Sequence, residues 1–113
     1  MSDKPKKLII YIRNQGKDKQ KEIYQTLYRL ISLVTSNKSM KLIGVLIESD
    51  DYVWQRPIIM NMYASKKIDG VVCEDFSELC FSNKTYLEVA FLIDKGFHVY
   101  AIDSNGQLAK IEN

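Results

Sequence analysis

The chain has 113 residues, 46% hydrophobic and 27% charged, with a formal net charge of +2. That is the size and balance of one globular domain with a sizeable core, and too short for two. A charge so near zero gives no field from which to argue nucleic-acid binding; Cys73 and Cys80, with six residues between them, match no zinc spacing, and the lone His98 cannot complete a site.

Residues 1–6 are polar with Pro5 among them, which predicts a loose terminus to a single domain spanning 1–113. Lys7–Ile12 is an apolar run of β-forming residues, as expected of a strand covered on both faces. It leads into Arg13-Asn14-Gln15-Gly16-Lys17, a polar exit with cationic and amide groups but no nucleophile or acid–base pair. From Asp18, a candidate N-cap, to about Asn37 the period becomes helical. Ile23, Leu27, Leu30, Ile31 and Val34 form one stripe, with Tyr24 and Tyr28 widening or flanking it.

Lys41–Ile47 is a second continuous apolar strand, and Glu48-Ser49-Asp50-Asp51 after it reads as a solvated acidic loop. The connector Asp50–Gln55 carries Tyr52, Val53 and Trp54, as a tucked flap or an interaction surface does. Arg56-Pro57 opens a second helix packing through Ile58, Ile59, Met62 and Tyr63, since proline suits the first helical turn. A third strand spans Ile68–Glu74, and Asp75–Asn83 follows as a loop. Ser82 or Asn83 caps a third helix, with Tyr86, Leu87, Ala90, Phe91 and Ile93 expected inward and Gly96 at its C′ position. Phe97–Ile102 is a fourth strand. Asp103-Ser104-Asn105-Gly106 is a turn signal, and Gln107–Ile111 folds back as a short edge strand within the tail 104–113.

Alternating strands and helices call for an α/β fold with a mostly parallel four-stranded sheet. Right-handed crossovers then favour a flavodoxin-like three-layer sandwich, with a short antiparallel edge strand from the tail. No signal-peptide pattern and no apolar run of about 18 residues is present, so the expected location is the cytoplasm, with free thiols and no membrane partner.

In this order and spacing the segments resemble the catalytic domain of the resolvase/invertase (serine recombinase) family, over about Lys7 to Asp103. Tyr11-Ile12-Arg13 is similar to the opening of the family's Tyr-x-Arg-x-Ser pattern. Leu42–Ile47 resembles its Val-Gly-Val strand, Arg56-Pro57 its Arg-Pro pair, and Ile68–Val72 its Asp-x-Val-Val strand. Gly96–Asp103 echoes its last Gly-Val-x-Leu segment. The resemblance implies a site in which a serine attacks a DNA phosphodiester and arginines stabilise the charge that develops.

Carried over by position, Arg13 and Arg56 match two of those arginines, but Gln15 stands where the serine should be. Phe76–Phe81 aligns with the family's Leu-Asp-Arg-Leu-x-Arg loop, so Ser77 replaces an aspartate and Glu78 and Phe81 replace arginines. An amide cannot form the phosphoester. Each reversed charge at ~5 Å and an effective dielectric of ~20 shifts the interaction with a phosphate by several kcal/mol.

The expected function is therefore that of a catalytically inactive recombinase-like domain, an accessory or protein-interaction module of DNA recombination from a mobile element or phage. Arg13, Gln15 and Arg56 are its residual phosphate-binding residues, and no catalytic residue, metal or cofactor is assigned. Partners under this reading are a second copy or another protein, with DNA contact weak unless a separate DNA-binding domain supplies it. Two other readings stand beside it: an active recombinase domain or fragment using another hydroxyl, and a small anion- or nucleotide-binding module built on Arg13, Gln15, Gly16 and Lys17. A further expectation is that Arg13 pairs with a local acid, Glu48, Asp75 or above all Glu78, within about 8 Å.

Overall fold

Strand β1, Lys6–Arg13, is buried without interruption from Leu8 to Arg13. The computed structural model describes residues 4–13, 20–48, 56–79 and 82–112, and for 20, 56, 57 and 78 the backbone alone. After β1 come α1 (Gln20–Thr35), β2 (Met40–Glu48), α2 (Arg56–Ala64), β3 (Gly70–Cys73), the single turn α3 (Phe76–Leu79), α4 (Asn83–Asp94), β4 (His98–Ile102) and β5 (Leu108–Lys110).

The strands form one sheet in the order β2-β1-β3-β4-β5. The first four are parallel and β5 is antiparallel to β4. The fold is thus α/β with a five-stranded mixed sheet. The tail strand is part of it because the Asp103–Gly106 turn is well made: Asp103 Oδ1 accepts from the N–H groups of Asn105 and Gln107 at 2.8 and 3.0 Å. Among the described residues no helix is long and apolar enough to cross a membrane.

Alternation along β1 splits the core. Leu8, Ile10 and Ile12 pack with Leu30 and Val34 of α1 and with Val72. Ile9 and Tyr11 pack on the other side with Ile59 of α2, Leu79 of α3, Val89 and Leu92 of α4, and Phe97. The α1 stripe lies where its period puts it, and Tyr24 and Tyr28 flank it at 56% and 70% exposure. The expected N-cap Asp18, the exit residues Gln15 to Lys17 and the Trp54 connector lie outside the described residues.

Helix α4 corrects the expected packing face. Thr85, Val89 and Leu92 are buried, whereas Tyr86, Leu87 and Phe91 are exposed. The helix is apolar on two flanks, so its period alone does not choose between them; packing against the sheet does. Ser82 caps it through a reciprocal box with Thr85, with Thr85 N donating to Ser82 Oγ at 3.2 Å and Ser82 N donating to Thr85 Oγ1 at 3.0 Å. At the other end Gly96 takes a φ of +100°, the left-handed C′ conformation that glycine adopts without strain. Ile58 of α2 is likewise exposed rather than inward, while Ile59 is fully buried.

The amino end of the sheet is tied by Asp69. Its carboxylate accepts from the Lys7 N–H at 2.7 Å, and its own N–H donates to the Lys7 carbonyl at 2.6 Å. His98 begins β4 beside it, with its ring stacked on Tyr100 and its Nδ1 buried without a hydrogen-bond partner. Burial first, then the charges of Lys110 and Lys6, lower the His98 pKa below 6.5, against an opposing contribution from Asp69. The fold therefore favours neutral imidazole. As pH falls through 6.5, the unfolded chain takes up a proton that the folded one resists, so stability present above that pH is lost below it. Urea midpoints should fall from pH 7.5 to 5.5 for the wild type and fall less for His98→Gln. Equal slopes for the two proteins would rule out this role.

Candidate functional site at the carboxyl end of the sheet

Parallel strands deliver their last side chains to one edge, where ligands of open α/β sheets bind. At this edge β1 ends in Arg13 and β2 in Glu48, and the two are register partners. Arg13 is only 5% exposed and Glu48 only 3%. Adjacent strands lie about 4.8 Å apart and register partners share a face, so a guanidinium and a carboxylate enter the same side of the sheet together. Tyr11, two residues back and fully buried, accepts a hydrogen bond from Arg13 Nη1 at 3.3 Å.

Glu48 is thus not the first residue of a solvated loop, as the run of acids predicts. It is the last residue of the strand, and a one-residue register shift opposite Leu8 and Ile9 sets the face it occupies.

Neighbouring β3 ends at Cys73, whose buried thiol donates to the Tyr100 carbonyl at 3.6 Å. Next to it Glu74 accepts from Thr26 Oγ1 of α1 at 3.3 Å. Glu22, Gln25, Thr26 and Arg29 of α1 face Glu74 across an open polar cleft of about 290 Å³. The sequence reading missed this cleft, because a helix flank and a strand end 48 residues apart carry no shared local pattern. Asp75 then precedes α3, its Oδ1 accepting from the Ser77 N–H at 3.0 Å. The loop expected over Asp75–Asn83 therefore contains one helical turn, which buries Leu79 in the core.

Of the residues expected to hold phosphate, Arg13 lies at the strand end. Gln15 lies outside the described residues, and Arg56 is described as the first backbone position of α2 only. The side chain of Glu78, with Cys80 and Phe81, is also outside the description, so the expected Arg13–Glu78 approach is not placed. Ser77 is exposed. Among the described residues no three His, Cys, Asp or Glu side chains are grouped to hold a metal ion.

The chemistry of the described edge is that of a buried cation set against a buried anion and a phenol. A guanidinium stays charged at any physiological pH and an ionised carboxylate only accepts, so this set can position and neutralise charge but offers no proton-transfer couple. In comparison with known proteins, the chain matches no protein-family model and no curated protein.

Proposed function

We propose that this chain is a catalytically inactive serine-recombinase-like domain that works in the cytoplasm as an accessory or protein-interaction module of DNA recombination. The four parallel strands with α1 on one face and α2 and α4 on the other support a three-layer, flavodoxin-like arrangement of the kind that family uses. One observation carries the reading. The Arg13 side chain is withdrawn into the sheet's end beside Glu48 and Tyr11, where a phosphate-holding arginine would have to face solvent and DNA. With Gln15 in the nucleophile's position and Glu78 and Phe81 in place of cations, the remaining site can neither attack a phosphodiester nor stabilise the charge of the attack.

The test is incubation with supercoiled DNA, followed by denaturing electrophoresis for a covalent protein–DNA adduct. The wild type should give none. Neither should Gln15→Ser, because restoring the hydroxyl does not restore the arginines. An adduct with the wild type would overturn the proposal, and an adduct with Gln15→Ser would show the rest of the site to be intact.

A further inference from the structure

Helix α4 turns two of its bulkiest apolar side chains outward. Thr85, Val89 and Leu92 form its inner face, yet Leu87 and Phe91 on the opposite face are 66% and 59% exposed. Beside them runs a groove of about 260 Å³ between α4 and α2, lined by Met60, Leu87, Glu88, Phe91 and Leu92. The Lys95 ammonium, 5.3 Å from the Phe91 ring centroid, steadies that ring at the groove's rim. One face thus carries an apolar ridge with an apolar hollow next to it, the two halves of a self-complementary contact.

The order of residues along that face is more specific. Lys84, Leu87, Phe91 and Asp94 are spaced three, four and three apart, which keeps them on one seam of the helix, as the a and d positions of a heptad are. Lys84 and Asp94 are both exposed. From its amino to its carboxyl end the seam therefore reads cation, apolar, apolar, anion.

We infer that this seam is where a second copy of the chain docks, α4 packing antiparallel against α4 about a two-fold axis level with Val89. In that pairing Leu87 of each copy meets Phe91 of the other, beside the groove, and Lys84 of each meets Asp94 of the other. Every contact is made twice. Parallel pairing would set Lys84 against Lys84 and Asp94 against Asp94, where like charges repel. The occupant follows from the same order, because an apolar pair with a cation before it and an anion after it is complementary to its own reverse. Asp94 makes a contact within its own chain, and the lone pairs of its two oxygens admit a lysine as well. The inference rests on the interaction-module reading and gives it a partner and a surface.

Sedimentation velocity of the full chain, from low micromolar to several hundred micromolar, tests it. The wild type should form a reversible dimer. Leu87→Glu, which puts a carboxylate against Phe91 at both contacts, should weaken that dimer by ~100-fold. Lys84→Glu and Asp94→Lys should each weaken it by ~10-fold, because each sets like charges together at both ends of the seam. Mixed in equal amounts, the last two variants should form a heterodimer of wild-type strength, since every end again joins a cation to an anion. Circular dichroism checks that the variants fold, and the mixing experiment decides even if Leu87→Glu does not. A wild type that stays monomeric throughout would overturn the inference and leave the groove to a different protein. A dimer untouched by Leu87→Glu would overturn the surface, and a mixture no tighter than its components would overturn the antiparallel pairing. None of these results bears on the absence of a DNA adduct, which tests the underlying reading separately.

Discussion

Gly70→Ala should destabilise the domain by about 3 kcal/mol or more, the upper end of overpacking costs and a large share of the 5–15 kcal/mol that holds a typical domain together. Gly70 is fully enclosed between β1 and β4, paired with Leu8 on one side and His98 on the other. A Cβ at this position would sit 1.9 Å from the His98 carbonyl oxygen and 2.6 Å from its carbon. Those atoms are main chain and cannot rotate away, so β3 and β4 must separate. The bond from the His98 N–H to the Asp69 carbonyl, now 3.0 Å, is the first at risk. Gly44 supplies the control. It too is a strand glycine, but a Cβ there would meet nothing within 4 Å. Gly44→Ala should therefore be neutral or stabilise by a few tenths of a kcal/mol through loss of unfolded-chain freedom. Urea midpoints of the two variants measure the contrast, and a Gly70→Ala protein as stable as Gly44→Ala would refute the packing argument.

The second large effect is expected at Arg13. Arg13→Met removes the cation that enters the sheet's end in register with Glu48, leaving a 3%-exposed carboxylate without that neighbour. Breaking a buried pair of opposite charges from one side costs about 3–5 kcal/mol, whereas replacing both members with apolar residues is often near neutral. Arg13→Met should accordingly be strongly destabilising, and Arg13→Met with Glu48→Met should recover most of the loss. The double-mutant cycle measures the coupling directly. Phosphate-holding arginines behave otherwise: such a residue is retained for ligand rather than for fold, so its loss would leave stability unchanged and the cycle additive. That outcome would favour the anion-binding reading over the proposal made above.

Local signals carried much of this fold, and the failures have physical causes. β1 was legible because five apolar or aromatic residues in a row, Leu8 to Ile12, admit little but a buried strand. α1 was legible because only one of its flanks is apolar where it meets the sheet. α4 was not, since Tyr86, Leu87 and Phe91 compete with Val89 and Leu92 for the inward face and the packing against the sheet, which the local sequence does not contain, settles the rotation. The burial of β2 was overestimated, because an apolar run states that a strand prefers cover without stating whether its own chain provides it. At the candidate site, Arg13 could be placed at a strand exit from sequence, but Glu48 read as one of four loop residues. Its burial depends on strand length and on pairing across 35 positions, neither of which the local sequence encodes.

The register shift in β2 has a consequence for how the two sides of the sheet differ. Before it, Met40 and Leu42 align with Lys6 and Leu8 on the side of α1; after it, Gly44, Leu46 and Glu48 align with Ile9, Tyr11 and Arg13 on the other. The extra residue acts as a half-period phase slip, so the same even-numbered positions serve opposite cores in the two halves of one strand. Deleting Ile43 would remove that extra residue and leave Glu48 beside Arg13. The full strand paired without the shift would instead set Ile47 opposite Arg13, carry Glu48 one place further to the α1 side and turn Val45 and Ile47 under α2. In this chain the register of one edge strand, more than its chemical character, decides which side of the sheet receives the carboxylate and which receives Val45 and Ile47.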